Sequence, residues 1–450
     1  MLKSIKLPFS EEYIAIKPPS KNNHITVLIG ENGTRKSYLL RNLLDSALST
    51  SPQNEEDFIE FEKNFSFRPS KIITISALSN DRFPSKSIYS DPFKNQKYDV
   101  DEYTYIGPRT SRNIISRNQS IRELINSILN NPEKLITKQS YLSNISSLIN
   151  ITGKFKFGLN PAPGHNTDLE GYFSAIRKKN HRPINDENFA KDIASIINNP
   201  FSQELRAVLS ELRFSKYWNK RTTEDSAFSV HIDFSNGTIE TNGISPQALA
   251  LGFKYGYLRS TSLIFLKSDH SSIDQESLSS GEWGIFSTLS SLALSVEDRT
   301  LILIDEPENG LHPAWQRNYL KFIQEAVENT KLCHTVVATH SPLILSSLPI
   351  KNSDCIELKK LGHKISASRL ESPSGWDSSS ILENIFILES ARGPDITNLV
   401  NSALKLIATG SLKNKEKLLK IGAKLKEYQR SLPADDILID IIDSINSVTK

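Results

Sequence analysis

Leu301-Ile302-Leu303-Ile304-Asp305-Glu306-Pro307-Glu308-Asn309-Gly310-Leu311-His312-Pro313 decides how this chain folds. Four apolar residues run straight into two adjacent carboxylates and a proline. A run this short and this uniformly apolar reads as a strand buried on both faces of a sheet. Its carboxyl end carries Asp305 and Glu306, and that edge of an α/β sheet is where ligands bind. One acid there can hold Mg²⁺, and the next can polarise water.

A second such strand, Ile25-Thr26-Val27-Leu28-Ile29, enters the loop Gly30-Glu31-Asn32-Gly33-Thr34-Arg35-Lys36-Ser37. Tyr38-Leu39-Leu40-Arg41-Asn42-Leu43-Leu44 follows at helical spacing. Strand, glycine-bearing loop, Lys-Ser and helix make the pattern of a phosphate-binding loop. Backbone N–H groups from Gly30 and Asn32 through Arg35 face phosphate, together with the helix N-terminus. Lys36 is placed to reach the β- and γ-phosphates, and Ser37 to sit on Mg²⁺. The loop departs from G-x-x-x-x-G-K-[ST] at one place, where Arg35 stands for the second glycine. If φ > 0 is needed there, arginine costs roughly 1–2 kcal/mol. Either Gly33 loosens the loop enough to tolerate it, or ATP is bound tightly and hydrolysed slowly.

Two further pieces follow in order. Leu278-Ser279-Ser280-Gly281-Glu282 precedes an apolar helix and presents free N–H donors. By itself such a stretch is a turn or cap. Thr335-Val336-Val337-Ala338-Thr339-His340-Ser341-Pro342 is another buried-type strand, and His340 at its end falls on the same sheet edge. A lone histidine is more often structural; its place one element after Asp305-Glu306 gives it weight.

In this order the motifs resemble ABC-type ATPase heads, and more closely the SMC-like and OLD-like ATPases, over residues 1–45 and roughly 270–350. The resemblance implies an α/β P-loop NTPase fold, ATP and Mg²⁺ as ligands, and heads that dimerise around two ATPs. It makes Lys36 and Ser37 the Walker A lysine and Mg²⁺ ligand, and Asp305 the Walker B aspartate. Glu306 becomes the base that activates water, and His340 the switch histidine. Ser279 and Gly281 contact the γ-phosphate held by the other subunit, and Asn309-Gly310-Leu311 forms the dimer-contacting loop. No glutamine loop is evident; Gln96 and Gln119 are candidates by position only.

The remaining sequence sets the boundaries. The ATPase head is expected at residues 1–117 and 216–370, split by a helical insertion at 118–215, with a helical C-terminal extension at 371–450. The insertion shows no sustained heptad, unlike the long coiled coils of SMC proteins. Residues 226–270 alternate around Asn236-Gly237 as a hairpin does. Tyr103–Arg109 reads as a strand and turn, with Arg109 exposed or reaching phosphate. No TOPRIM or His-rich metal pattern follows, so no nuclease is expected within the chain.

Among 450 residues, 54 are Lys or Arg and 51 Asp or Glu, a net charge of +3 too small to argue for nucleic acid. Local basic stretches at 177–182 and 213–221 are the candidates for such contact, the second interleaved with aromatics. Cys333 and Cys355 are too few for a zinc framework. With no signal-peptide pattern and no apolar run near the ~18 residues of a span, the expectation is a cytoplasmic chain without a membrane partner.

The compact insertion and the tail carrying Gly375-Trp376-Asp377 and Ile381-Leu382 resemble PtuA, the ATPase subunit of Septu antiphage systems, also found in some retron operons. That resemblance implies a homo-oligomer with a separate HNH nuclease as partner, and contact with DNA or retron nucleic acid through the complex. The rival readings are a RecF-like repair ATPase and a nucleotide-sensing scaffold with little hydrolysis.

Overall fold

The structure, a computed structural model, describes residues 2–8, 10–16, 22–48, 61–78, 80–85, 98, 100–110, 116–161, 198–212, 226, 228–269, 271–362, 364–386, 390, 392–409, 414–433 and 436–447. Gln96 and the basic stretches 177–182 and 213–221 lie outside these residues. The chain forms two units, Met1–Ser374 and Gly375–Lys450.

The first unit begins with an antiparallel pair, β1 (Ser4–Lys6) and β2 (Tyr13–Ala15). Its centre is a sheet made from β3 (His24–Gly30), β4 (Lys71–Ser76), β5 (Tyr103–Ile106), β12 (Thr300–Asp305), β13 (His334–Ala338), β14 (Ser353–Leu361) and β15 (Lys364–Leu370). The spatial order is β15-β14-β3-β13-β12-β4-β5. All neighbours are parallel except the terminal hairpin β14–β15. Every residue of β12 and β13 is buried, as strands covered on both faces require. The register aligns Asp305 with Ser76 on one side and Ala338 on the other, and Ala338 with Leu28. The loops after β3, β12 and β13 therefore leave the sheet on one edge. Helix Lys36–Leu48 follows β3 and turns Leu39, Leu40, Leu43, Leu44, Ala47 and Leu48 into the core.

A second, antiparallel sheet runs β11-β10-β6-β7-β8, with β9 paired to β6. Here β6 is Lys154–Pro161, β7 Phe228–Asp233, β8 Thr238–Glu240, β9 Leu258–Ser260, β10 Ile264–Leu266 and β11 Ser272–Asp274. The hairpin around Asn236-Gly237 is β7–β8, with Asp233 opposite Thr238. Strand β6 lies inside the stretch expected to be helical, with only a Gly/Pro interruption near 158–164. Its Phe155 packs against Phe234, Phe265 and Phe286, with ring centroids 5.1, 5.3 and 6.0 Å away. Phe286 belongs to helix Ser280–Ser295, so this aromatic cluster seats the sheet on the helix that follows the Leu-Ser-Ser-Gly-Glu stretch.

Helices Arg117–Asn130 and Gln139–Leu148 pack on the same helix. Between them, two lysines one turn apart reach other elements. Lys134 Nζ donates to Val296 O at 2.8 Å, at the C-cap of Ser280–Ser295. Lys138 Nζ donates to Ala326 O at 2.6 Å, at the end of helix Pro313–Ala326. Each ammonium satisfies a carbonyl that the helix leaves without an internal partner, at the negative end of the helix dipole.

Arg109 departs from its expected exposure. It is 8% exposed and ion-paired with Asp81, which also accepts from Tyr105 Oη at 2.8 Å. Its planar fork suits bidentate capture of a buried carboxylate. Gln119 is likewise buried and donates to Glu123 at 3.0 Å.

The second unit carries helices Ser378–Asn384, Pro394–Ala408, Lys415–Gln429 and Leu438–Ser447. Ile396, Ala403, Leu418, Leu425, Leu438, Ile442 and Ile445 form its own small core. Among the described residues, no helix is long and apolar enough to cross a membrane.

Candidate nucleotide site

The loop after β3 is shaped by three left-handed or extended-positive residues: Gly30 at φ 149°, Gly33 at φ 86° and Arg35 at φ 67°. Gly30 has no room for a side chain, since a Cβ there would lie 2.3 Å from Leu358 O of β14. Thr34 Oγ1 closes the turn by donating to Glu31 O at 2.8 Å. Lys36 Nζ donates to Gly30 O at 2.8 Å and Glu31 O at 3.3 Å, lying across its own loop. Burial pushes the Lys36 ammonium down to about 8, against the pull of Glu306, Asp305 and Glu308. Asn32, Gly33 and Arg35 are exposed.

Arg35 therefore does occupy a left-handed position, at a cost of roughly 1–2 kcal/mol. Arg35→Gly relieves the strain but frees the unfolded chain, so stability is expected to change by no more than about 1 kcal/mol. Turnover is the informative readout. A rise in kcat with unchanged ATP affinity means that Arg35 slows hydrolysis; no change in either means that the arginine is merely tolerated.

Ser37 Oγ donates to Asp305 Oδ1 at 3.0 Å, bridging the helix start and the end of β12. Asp305 is 1% exposed, and burial pushes its carboxyl up to about 7; Ser37 opposes this, while Glu306 and Asp81 add to it. Hydroxyl and carboxylate oxygen side by side are a hard donor set. That suits Mg²⁺, which takes one or two protein ligands and fills its shell with water and phosphate oxygens.

Glu306 sits at φ 45°, held by its N–H to Ala338 O at 2.9 Å. Asn309 Nδ2 donates to Glu306 O at 3.0 Å and Oε2 at 3.2 Å, and the other carboxylate oxygen is 3.5 Å from His340 Nε2. Both side chains are about a quarter exposed, open enough to meet a ligand. Burial, and then Lys36, hold His340 below its usual value, which favours the neutral ring.

Ser279 is the N-cap of helix Ser280–Ser295, in a reciprocal capping box with Glu282. Its hydroxyl accepts from Glu282 N at 3.2 Å, which leaves its own proton to donate outward. Gly281 is buried against the turn after β12: a Cβ there would lie 2.4 Å from Gly310 O. The Leu-Ser-Ser-Gly-Glu helix and the Asn309-Gly310-Leu311 turn thus abut within one chain. Ser279, Ser280, Asn309 and Gly310 remain exposed.

Glu308, Gln316 and Ser341 also belong to the site, although their roles were not read from the sequence. Glu308 Oε1 accepts from His340 N at 2.6 Å, and burial pushes its carboxyl up. The only sequence signal was its place three residues beyond Asp305.

These geometries are those of a phosphate-loop ATPase fold. A family model described as "AAA domain, putative AbiEii toxin, Type IV TA system" matches residues 25–346, which include every site residue above. The chain belongs to that family. The "Retron Ec83 probable ATPase" of Escherichia coli is 23% identical over 473 residues, covering 94% of this chain and 82% of that protein. Among solved structures, the Smc head bound to the C-winged helix domain of ScpA is 15% identical, covers 82% of this chain and 96% of its own, and has a TM-score of 0.30. An Smc head domain with an extended coiled coil, bound to the C-terminal domain of ScpA derived from Pyrococcus furiosus, is 12% identical, covers 82% and 95%, and scores 0.31. Those two overlaps are too loose to bear on the site.

Proposed function

We propose that this chain binds and hydrolyses ATP with Mg²⁺ and serves as the ATPase subunit of a PtuA-like antiphage complex. The supporting observation is the array around Lys36: Ser37 bonded to Asp305, and Glu306 facing His340, all on one sheet edge. Lys36 neutralises charge on the terminal phosphates, and Ser37 with Asp305 would hold Mg²⁺, which supplies further neutralisation of the phosphate oxygens. Glu306 orients water and takes its proton as the oxygen attacks the γ-phosphorus in line; the bond to the β-phosphate oxygen breaks, giving ADP and phosphate. His340, as the neutral ring, can use its single N–H either to orient the Glu306 carboxylate or to donate to a terminal phosphate oxygen. Two heads close over two ATPs, with Ser279 and Gly281 of each completing the other's site.

The defence role is supported by the similarity to the probable ATPase of retron Ec83. In this reading the nucleotide state of the oligomer restrains a separate HNH nuclease. The test is native mass measurement of the protein recovered from its own locus with ATP present. A multimer carrying a small nuclease is the expected result. A lone dimer that binds DNA and hydrolyses ATP faster with it would replace this reading with a repair-type ATPase.

A further inference from the structure

The turn that follows β12 and the loop that follows β13 are tied together by one run of hydrogen bonds. Glu308 Oε1 accepts from His340 N at 2.6 Å. Gln316, one turn into helix Pro313–Ala326, donates Nε2 to Leu311 O at 2.9 Å and accepts from Ser341 Oγ at 2.8 Å. Ser341 Oγ in turn accepts from Ile344 N at 3.3 Å, so its one proton is committed to Gln316. Glu308 Oε2 is buried, with the Thr339 hydroxyl beside the carboxylate.

The geometry consequently brackets His340 from both sides. Its backbone N–H is held by Glu308, and the next residue is held by Gln316. The same Gln316 amide grips Leu311, the last residue of the exposed Asn309-Gly310-Leu311 turn. An amide side chain that donates to one loop and accepts from another cannot follow a shift of the first without pulling on the second.

We infer that Gln316 and Glu308 are positioning residues that couple the Asn309-Gly310-Leu311 turn to His340, so that engagement of that turn by a second head sets the place of the histidine beside Glu306. The inference rests on the ATPase reading above. It requires that breaking the tie slows hydrolysis without preventing nucleotide binding or head closure. A displacement of reacting groups by about 1 Å is enough to cost on the order of a hundredfold in rate.

The experiment compares steady-state ATP turnover of the full chain with that of Gln316→Leu, Gln316→Glu, Ser341→Ala and the Gln316→Leu/Ser341→Ala pair. Gln316→Glu keeps an acceptor for Ser341 but cannot donate to Leu311. Both Gln316 variants are expected to lose about tenfold or more in kcat with KM within about twofold of the parent. The paired variant is expected to be no slower than Gln316→Leu, because the two changes break one tie. In a Glu306→Gln background, Gln316→Leu is expected still to dimerise with ATP. Parental turnover with unchanged kcat in Gln316→Leu, or strictly additive losses in the pair, overturns the coupling. So does a loss confined to KM and melting temperature, which is what a merely structural glutamine gives. A parent that neither binds nor hydrolyses ATP overturns the ATPase reading, and this inference with it, before any variant is compared.

Discussion

Glu306→Gln is expected to cut ATP turnover by roughly 10²–10⁴-fold, the range that a positioned general base contributes, while leaving ATP bound. The amide keeps an oxygen for Asn309 Nδ2, which now bonds the carboxylate at 3.2 Å, so the local geometry survives. It cannot take the proton from water. Chemistry stops after closure, and an ATP-loaded dimer accumulates. Size-exclusion with light scattering, run with and without saturating ATP, reads this directly. A Glu306→Gln protein that stays monomeric in saturating ATP removes the two-headed mechanism. Full activity in the same variant removes Glu306 as the base.

Lys36→Met is expected to abolish ATP binding in a titration while leaving the nucleotide-free fold at least as stable. The reason lies in burial. Lys36 is 5% exposed, and its ammonium is pushed down from 10.5 to about 8. Holding that charge costs the nucleotide-free protein on the order of 3 kcal/mol at neutral pH. Methionine fills similar volume without charge. Between pH 8 and 10.5 the unfolded chain binds this proton and the folded chain releases it, so parental stability rises with pH across that window. The variant lacks that rise. Melting temperatures at pH 7 and pH 10 separate the two cases, and a variant that melts well below the parent at both argues that Lys36 is structural.

How far the sequence carried the reading depends on the kind of contact. Asp305, Glu306 and His340 were legible because two apolar runs, Leu301–Ile304 and Val336–Ala338, each end in polar residues, and parallel strands with aligned register place such ends together. The phosphate loop was legible for the same reason, and the conditional cost of Arg35 became definite once its φ was known. Strand β6 was hidden because Phe155, Phe157 and Leu159 alternate across Gly158 and toward Pro161, residues that read as a break between helices. Arg109 reads as a turn residue in sequence because its partner Asp81 lies on another loop, 28 positions away. Glu308, Gln316 and Ser341 meet from three separate elements, and no spacing in the chain announces such a meeting.

The lysines at 134 and 138 have a mechanical consequence. They tie the far ends of helices Ser280–Ser295 and Pro313–Ala326 to a single turn of chain, by one hydrogen bond each. A motion of one helix against the other that kept both bonds would pivot near those ends. A helix of 16 residues is about 24 Å long, so a rotation of about 5° carries its opposite tip roughly 2 Å. The tips are where Ser279, Gly281 and the Gly310 turn stand. A rotation about such a pivot would be largest in displacement at Ser279 and the Gly310 turn, as in a pair of calipers the jaws travel farthest.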